Sequence, residues 1–274
     1  MPRQFLLRFL LAAALLCSGV ESYGQNPEAK VQSPRELRAC VSNEAFPPFT
    51  YPDREGLLQY LLRHAVEAQG MRIRFIVEPR ARCLYNLKAG RYEWLPFAVD
   101  TPTLRELSTF PMRNGAVDLN YQLGSSSLFV VTPLHSEVRW DGHRLLAVQG
   151  PLLYRRGAAV MLDWIATHPQ ASEPVNSALI AVKMMLAGRS NAALIGQSQI
   201  DELHRQHPEL AAQLMVLRPA VDTKLIFTSA SNAYASQHPE EAMAIWDEML
   251  RLKDSPGYLE LQQKLAREVP SVAP

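Results

Sequence analysis

The amino-acid sequence predicts an α/β fold made of two related lobes, and three observations support this. Residues 37–92 follow the order strand, helix, strand, helix, which is the pattern of a βαβ unit. The length of 274 residues is sufficient for two compact lobes. The tripeptide Ala-Gly-Arg recurs at 89–91 and 187–189, each time between a predicted helix and an apolar strand, which indicates two related halves.

The first residues have the pattern of an export signal. Arg3 and Arg8 flank the start, and residues 9–16 form an apolar run that is too short for a comfortable membrane span. We expect cleavage after Gly24 and a soluble exported protein with a signal peptide at 1–24. An uncleaved anchor is the alternative.

The first lobe begins with a strand that ends in an aromatic and proline-rich turn. Its predicted strands lie at 37–41, 73–77 and 94–99, and its predicted helices at 57–69 and 80–90. In the turn Phe46-Pro47-Pro48-Phe49, the prolines stop the strand, which directs Phe49 and Tyr51 to the crevice where open α/β sheets bind ligands. The alternative is that both rings only cap the core of the lobe.

The second half repeats the alternation of strands and helices. Its predicted strands lie at 125–131, 152–154, 192–195 and 223–228, and its predicted helices at 158–167, 176–187, 239–252 and 256–268. Asn176 is a candidate N-cap, and the glycine of each Ala-Gly-Arg tripeptide is predicted to end its helix. His204 and His207 have a chelating spacing but no evident third ligand, so we predict surface histidines and no metal.

Two cysteines outside the export segment predict one disulfide. Cys40 lies in the first strand, and Cys83 lies near the start of the helix that follows the neighbouring strand. A pair of cysteines in an oxidising compartment favours a bridge between them. Two buried thiols are the alternative.

Charge and motifs exclude several classes of function. The formal net charge is +1 without long runs of one sign, which is unlike the basic surface of a nucleic-acid-binding protein. The sequence has neither a phosphate-binding loop nor a dinucleotide fingerprint. The segment 196–200 resembles half of a nucleophile elbow but lacks the closing glycine, so we expect neither a serine hydrolase nor any cofactor.

Several short motifs occur in a characteristic order along residues 37–268. They are Leu37-Arg38 with Phe46-Pro47-Pro48-Phe49, Lys88-Ala89-Gly90-Arg91-Tyr92, Thr103-Leu104-Arg105 before Phe110-Pro111, Trp140-Asp141-Gly142, Arg156-Gly157, Leu186-Ala187-Gly188-Arg189 and Ile245-Trp246. In this order they resemble the bacterial extracellular solute-binding proteins of family 3, the periplasmic receptors that serve amino-acid importers.

The resemblance implies a type II periplasmic-binding-protein-like fold with a ligand between two lobes that close by a hinge motion. The expected crossing strands are residues 126–132 and 223–229. The implied organisation is a first lobe at 36–132, a second lobe at 133–221, and a return strand with C-terminal helices at 222–274.

The resemblance also implies binding residues, with departures in the second lobe. Arg105 matches the arginine that clamps a ligand carboxylate, and Gly157 matches the glycine that opens an anion-binding helix. No acid stands at Gly196 or Gln197, where relatives often bind an ammonium group, so we expect either a carboxylate ligand without an ammonium group or a polar neutral ligand. The predicted ligand-binding set is Phe49, Tyr51, Arg80, Asp100, Thr101, Arg105, Arg156, Gly157 and Gln197.

The predicted function is that of a monomeric periplasmic solute-binding protein without catalytic activity. It would capture a small polar, carboxylate-bearing solute and deliver it to an ABC importer or to a signalling partner in the membrane. One alternative is a small-acid dehydratase or lyase, for which Glu44 and Asp100 are the candidate acids. Another is an interaction protein with a vestigial cleft.

Overall fold

The computed structural model describes residues 34–168 and 170–268. The predicted export signal at 1–24 lies outside the described residues. Within them, no helix has the length and apolar character that a membrane crossing needs.

The first half of the chain alternates strands and helices before one long strand. Its elements are β1 (Glu36–Ser42), α1 (Leu57–Ala68), β2 (Arg72–Glu78), α2 (Arg80–Lys88), β3 (Trp94–Val99), α3 (Pro102–Leu107), β4 (Ser108–Thr109), β5 (Met112–Arg113), β6 (Ala116–Val117), a 3₁₀ turn (Leu119–Tyr121) and β7 (Gly124–Pro133).

The second half has the same alternation and ends in helices. Its elements are β8 (Arg139–Trp140), β9 (Leu145–Leu146), β10 (Leu152–Arg155), α4 (Ala159–Thr167), β11 (Ser172–Val175), α5 (Ala178–Leu186), β12 (Ala193–Gly196), α6 (Gln197–Gln206), α7 (Pro208–Ala211), β13 (Leu214–Val216), β14 (Asp222–Ser231), α8 (Asn232–Gln237), α9 (Pro239–Leu252) and α10 (Pro256–Glu268).

One sheet runs through both lobes in the order β11-β10-β12-β7-β14-β3-β1-β2. In each lobe three parallel strands are bordered by one antiparallel strand, which is β14 in the first lobe and β7 in the second. The two border strands pair with each other, from Asp222 opposite Leu128 to Ile226 opposite Gly124. The predicted pair of crossing strands is therefore confirmed.

Strand alternation explains why β7 is apolar along its second half. Phe129 and Val131 face one side of the sheet with α5 and α6, whereas Leu128 and Val130 face the other side with α4. Successive residues of a strand point to opposite faces, so a strand covered on both faces must be apolar at every position.

The C-terminal helices pack on the first lobe. The Trp246 ring of α9 lies 5.4 Å from the Trp94 ring of β3 in an edge-to-face arrangement. Its indole N–H donates to the carbonyl of Thr228 on β14 at 2.9 Å. These contacts hold α9 against the first lobe, and the predicted organisation into residues 36–132, 133–221 and 222–274 stays a prediction.

The disulfide between Cys40 and Cys83 is confirmed. It joins β1 to α2 with a Cα–Cα distance of 5.5 Å. Both residues are buried, and the alternative of two free thiols is wrong.

The predicted N-cap at Asn176 is wrong by one residue. Ser177 precedes α5, and its hydroxyl accepts a hydrogen bond from the Ile180 N–H at 3.1 Å. The glycine predictions fit the helix ends, because Gly90 and Gly188 have φ angles of +66° and +73° just after α2 and α5. The short helix α3 was not predicted, since its six residues are too few to show a periodic pattern.

Candidate functional site

The candidate site lies between the two lobes. The turn after β1, the start of α2 and the end of β10 meet there around a largely enclosed cavity of about 40 Å³. Its polar lining comes from both lobes and from the crossing strands: Arg80, Ser126, Ser127, Arg155, Gln199 and Lys224. Phe46 and Phe97 stack with ring centroids 4.6 Å apart and form an apolar wall.

Two arginines of this lining are buried. Arg80, the first residue of α2, is 7% exposed, and Arg155, the last residue of β10, is 8% exposed. The Arg155 guanidinium lies 4.6 Å from the centroid of the Phe46 ring. Arginine is rarely buried without a partner because its charge loses hydration, so two buried guanidinium groups mark this cavity as a candidate site.

Glu44 links the two lobes beside the cavity. One carboxylate oxygen, Oε1, accepts a hydrogen bond from the N–H of Ala178 at the start of α5 at 3.1 Å. The other, Oε2, lies 3.3 Å from Nε of Arg155. Burial raises the pKa of the Glu44 carboxyl, and Arg155 and the Ala178 N–H partly oppose that rise.

Polar atoms at this junction have unused hydrogen-bonding capacity. Among the described residues, Oε2 of Glu44, Nε and Nη1 of Arg155 and Nε2 of Gln199 are buried and make no hydrogen bond. The contact between Glu44 Oε2 and Arg155 Nε is thus an ion pair by distance, without the alignment of a hydrogen bond. Buried donors without acceptors favour a ligand that supplies acceptor oxygens.

The charges around the cavity do not balance. Two guanidinium groups, Arg80 and Arg155, face one carboxylate, Glu44. The pKa of Arg80 is lowered to about 9, first by burial and then by the positive charge of Arg155. Lys224 adds no unpaired positive charge, since its ammonium lies 3.3 Å from the Asp222 carboxylate. In the part of the chain that the structure describes, one positive charge therefore has no negative partner, which favours an anion.

The lobes are in contact around the cavity. Gly157 has a φ of +75°, and a Cβ atom there would lie 2.7 Å from the Cα of Ala81 on α2. On the other side, the Thr103 hydroxyl of α3 donates to Oδ1 of Asp163 on α4 at 2.6 Å. A solute larger than a few atoms does not fit the enclosed space in this arrangement of the lobes.

An open groove of about 510 Å³ adjoins the cavity. Gln199 lines both spaces, and Glu44 lines the groove while it pairs with Arg155 of the cavity. The Glu44–Arg155 pair therefore lies between an inner enclosed space and an outer open one.

The aromatic residues predicted for the site lie near it in different settings. Tyr51 is buried in the core of the first lobe and borders the open groove, with the Arg54 guanidinium 4.0 Å from its ring centroid. Phe49 is half-buried, and its ring centroid lies 5.8 Å from that of Phe97. Of the other predicted residues, Arg80 lines the cavity and Gly157 forms the interlobe contact described above.

Five further predicted residues do not line the cavity. The Arg105 side chain is 52% exposed and binds both carboxylate oxygens of Asp100, with Nη2 2.6 Å from Oδ2. Thr101 accepts a hydrogen bond at the start of α3. Arg156 is exposed, and Gln197 donates to a neighbouring carboxylate of α6. Their role as ligand contacts stays a prediction.

Sequence reasoning missed Arg155, Phe46 and Gln199 as cavity residues. Arg155 shares a face of β10 with the buried Leu153, so strand alternation was an available signal. Phe46 belongs to the same proline-rich turn as Phe49, and only packing decides which of the two rings faces the cavity. Nothing in the local sequence of Gln199 distinguishes it from an exposed helical glutamine.

Metal ligands do not cluster in the part of the chain that the structure describes. No three His, Cys, Asp or Glu side chains of residues 34–168 and 170–268 come close enough to hold one ion.

No protein-family model matches this chain, and no curated protein matches its sequence. Solved structures do match. A mutant of ArgBP from T. maritima has a TM-score of 0.67 at 13% identity over 85% of this chain and 95% of that one. A histidine kinase sensor domain with similarity to periplasmic binding proteins has a TM-score of 0.66 at 14% identity, over 85% and 96%.

A third match is a solute receptor for L-cysteine of Neisseria gonorrhoeae, with a TM-score of 0.65 at 16% identity over 85% of this chain and 90% of that one. At such identities the likeness shows the fold alone. The chain has the two-lobed type II periplasmic-binding-protein-like fold, as predicted from its sequence.

Proposed function

We propose that the protein is a periplasmic solute-binding protein that captures a small carboxylate-bearing solute between its lobes. One observation carries the proposal: Arg80 and Arg155 are buried in a cavity between two lobes, and within residues 34–168 and 170–268 only Glu44 opposes their charge. In this proposal the protein is a monomer, and its closed form is recognised by an ABC importer or a membrane sensor. ArgBP, the L-cysteine receptor and the histidine kinase sensor domain share its fold and support both kinds of partner.

The surroundings of Glu44 favour a ligand without an ammonium group. Both of its oxygens already contact the second lobe, at Arg155 and at the Ala178 N–H. An ammonium at Oε2, which makes no hydrogen bond, would lie beside the Arg155 guanidinium, and the two positive charges would repel each other. The same engagement supports a binding role without catalysis, because a general acid or base needs access to the reacting proton.

An interaction protein with a vestigial cleft is the second candidate. The enclosed volume of about 40 Å³ favours it, because it holds only a few non-hydrogen atoms. The two candidates differ in one measurable property, which is whether a small solute stabilises the folded protein.

A thermal-shift screen with carboxylic acids, amino acids and sugars tests the proposal. A solute at 100 times its Kd adds about 2.7 kcal/mol to the free energy of unfolding. For a chain of this size that corresponds to a rise in Tm of roughly 5–10 °C. Small-angle scattering with the same solute should show compaction, and sodium chloride at equal ionic strength is the control. If no solute raises Tm, the result favours an interaction protein with a vestigial cleft.

The proposed location requires a separate measurement. Intact-mass analysis of the protein purified from the periplasm of an expressing bacterium should show a chain that begins after Gly24. A full-length chain that remains with the membrane fraction would instead support the uncleaved anchor.

A further inference from the structure

We propose that the cavity between Arg80 and Arg155 binds a compact planar anion of single charge, the chemistry of a short monocarboxylate. The inference rests on the proposed function and narrows its ligand. It also moves the main anion contact from the exposed Arg105, which is already paired with Asp100, to the two buried arginines.

The donor groups suit a planar oxyanion. Nε and Nη1 of Arg155 and Nε2 of Gln199 are buried donors that lack acceptors among the described residues. Arg80 presents a second guanidinium to the same space. A carboxylate offers two oxygens in one plane, which is the geometry that a guanidinium binds through two parallel hydrogen bonds.

The charge balance sets the charge of the ligand. With Glu44 ionised, the two arginines leave one excess positive charge, so a monoanion neutralises the site and a dianion does not. A zwitterion such as glycine would bring an ammonium group next to the remaining positive charge, which is unfavourable in a buried site. Glu44 thus acts as the residue that determines ligand charge.

The cavity size limits the ligand to few atoms. One water molecule needs a cavity of about 10–15 Å³. The cavity of about 40 Å³ therefore has room for about three water molecules. Acetate and nitrate have four non-hydrogen atoms each and are close to that limit. A longer chain would have to displace the Glu44–Arg155 pair and extend toward the open groove.

Isothermal titration calorimetry with sodium acetate, sodium nitrate, sodium sulfate and glycine tests the inference in a chloride-free buffer. We expect acetate or nitrate to bind with 1:1 stoichiometry and more tightly than sulfate or glycine. Tighter binding of acetate would indicate a carboxylate ligand, and tighter binding of nitrate would indicate an inorganic anion. Both results support a planar monoanion.

Substitutions of Arg80 test whether the anion binds at this residue. Arg80→Met should weaken acetate binding by about 10- to 100-fold, the expected loss for one charged hydrogen-bonding group. Arg80→Lys keeps the charge without the planar fork and should give an intermediate loss. Arg82→Met removes an exposed arginine of the same helix and serves as the matched control, with unchanged affinity.

A substitution of Glu44 tests whether this residue determines the charge of the ligand. Glu44→Gln raises the excess from one positive charge to two, so the affinity ratio of sulfate to acetate should rise at least tenfold. Circular dichroism and thermal unfolding verify that each variant is folded.

Two outcomes overturn the inference. In the first, Arg80→Met binds acetate and nitrate with the same affinity as the wild type. In the second, the wild type binds glycine or sulfate more tightly than acetate and nitrate. If a different metabolite then stabilises and compacts the protein, the solute-binding function stands while this ligand class fails. If no solute of any class binds, both proposals fail.

Discussion

Replacing Arg80 by methionine should stabilise the unliganded protein while it removes the anion site. The pKa of Arg80 is lowered to about 9, mainly by burial. One pKa unit corresponds to about 1.4 kcal/mol, so at neutral pH the buried charge costs up to about 5 kcal/mol of folding free energy. Methionine has a similar length and no charge, and it fills irregular apolar space.

The expected gain is smaller than this upper bound. Replacing buried charges by apolar side chains of similar volume has given gains of about 1–4 kcal/mol. At about 2–4 °C per kcal/mol for a chain of this size, the rise in Tm is measurable by calorimetry.

The assay compares urea unfolding of the wild type, Arg80→Met and the control Arg82→Met. The control lies on the exposed face of α2 and should change the free energy of unfolding by less than about 0.5 kcal/mol. A destabilised Arg80→Met variant would mean that Arg80 has a structural partner, and the reasoning from unbalanced charge would be refuted.

Three further predictions concern closure, the disulfide and pH. Gly157→Ala should hinder lobe closure, because its Cβ would lie 2.7 Å from backbone atoms of α2, and scattering should show a larger radius of gyration. Gly188→Ala has the same left-handed backbone but no neighbour within 4 Å, so it controls for strain, and equal radii in both variants would contradict the prediction. Cys83→Ser should lower the free energy of unfolding by about 4 kcal/mol in the chain-entropy description. A Tm that neither this variant nor a reductant lowers would argue against a stabilising bridge. Burial raises the pKa of Glu44, so the folded state holds this proton more tightly, and the contribution of the proton to stability should decline as the pH rises above the ordinary pKa of a glutamate. The free energy of unfolding of Glu44→Gln, measured with urea, should lack this component of the pH dependence. The same pH dependence in the wild type and in Glu44→Gln would exclude a contribution from Glu44.

Part of the candidate site was accessible from sequence because it depends on local rules. Pro47 and Pro48 have no backbone N–H to donate, so the segment after β1 cannot continue as a strand, and Phe46 and Phe49 lie in a turn. Arg80 lies two residues after the end of β2, so its place at the carboxyl edge of the parallel sheet was predictable. The Arg105 clamp was expected only from the resemblance, and its pairing with Asp100 depends on side-chain conformations that no motif specifies.

The sequence by itself determined the order of the longer strands and helices and the disulfide. These follow from periodicity, from turn residues and from the number of cysteines, which are properties of short segments. The two crossing strands were expected only from the family resemblance. Only the tertiary structure decided that Arg80, Arg155 and Glu44 share one cavity. The physical reason is that burial and charge balance are set by groups far apart in the chain. Whether an arginine is solvated or buried without an acceptor is decided when the two lobes meet.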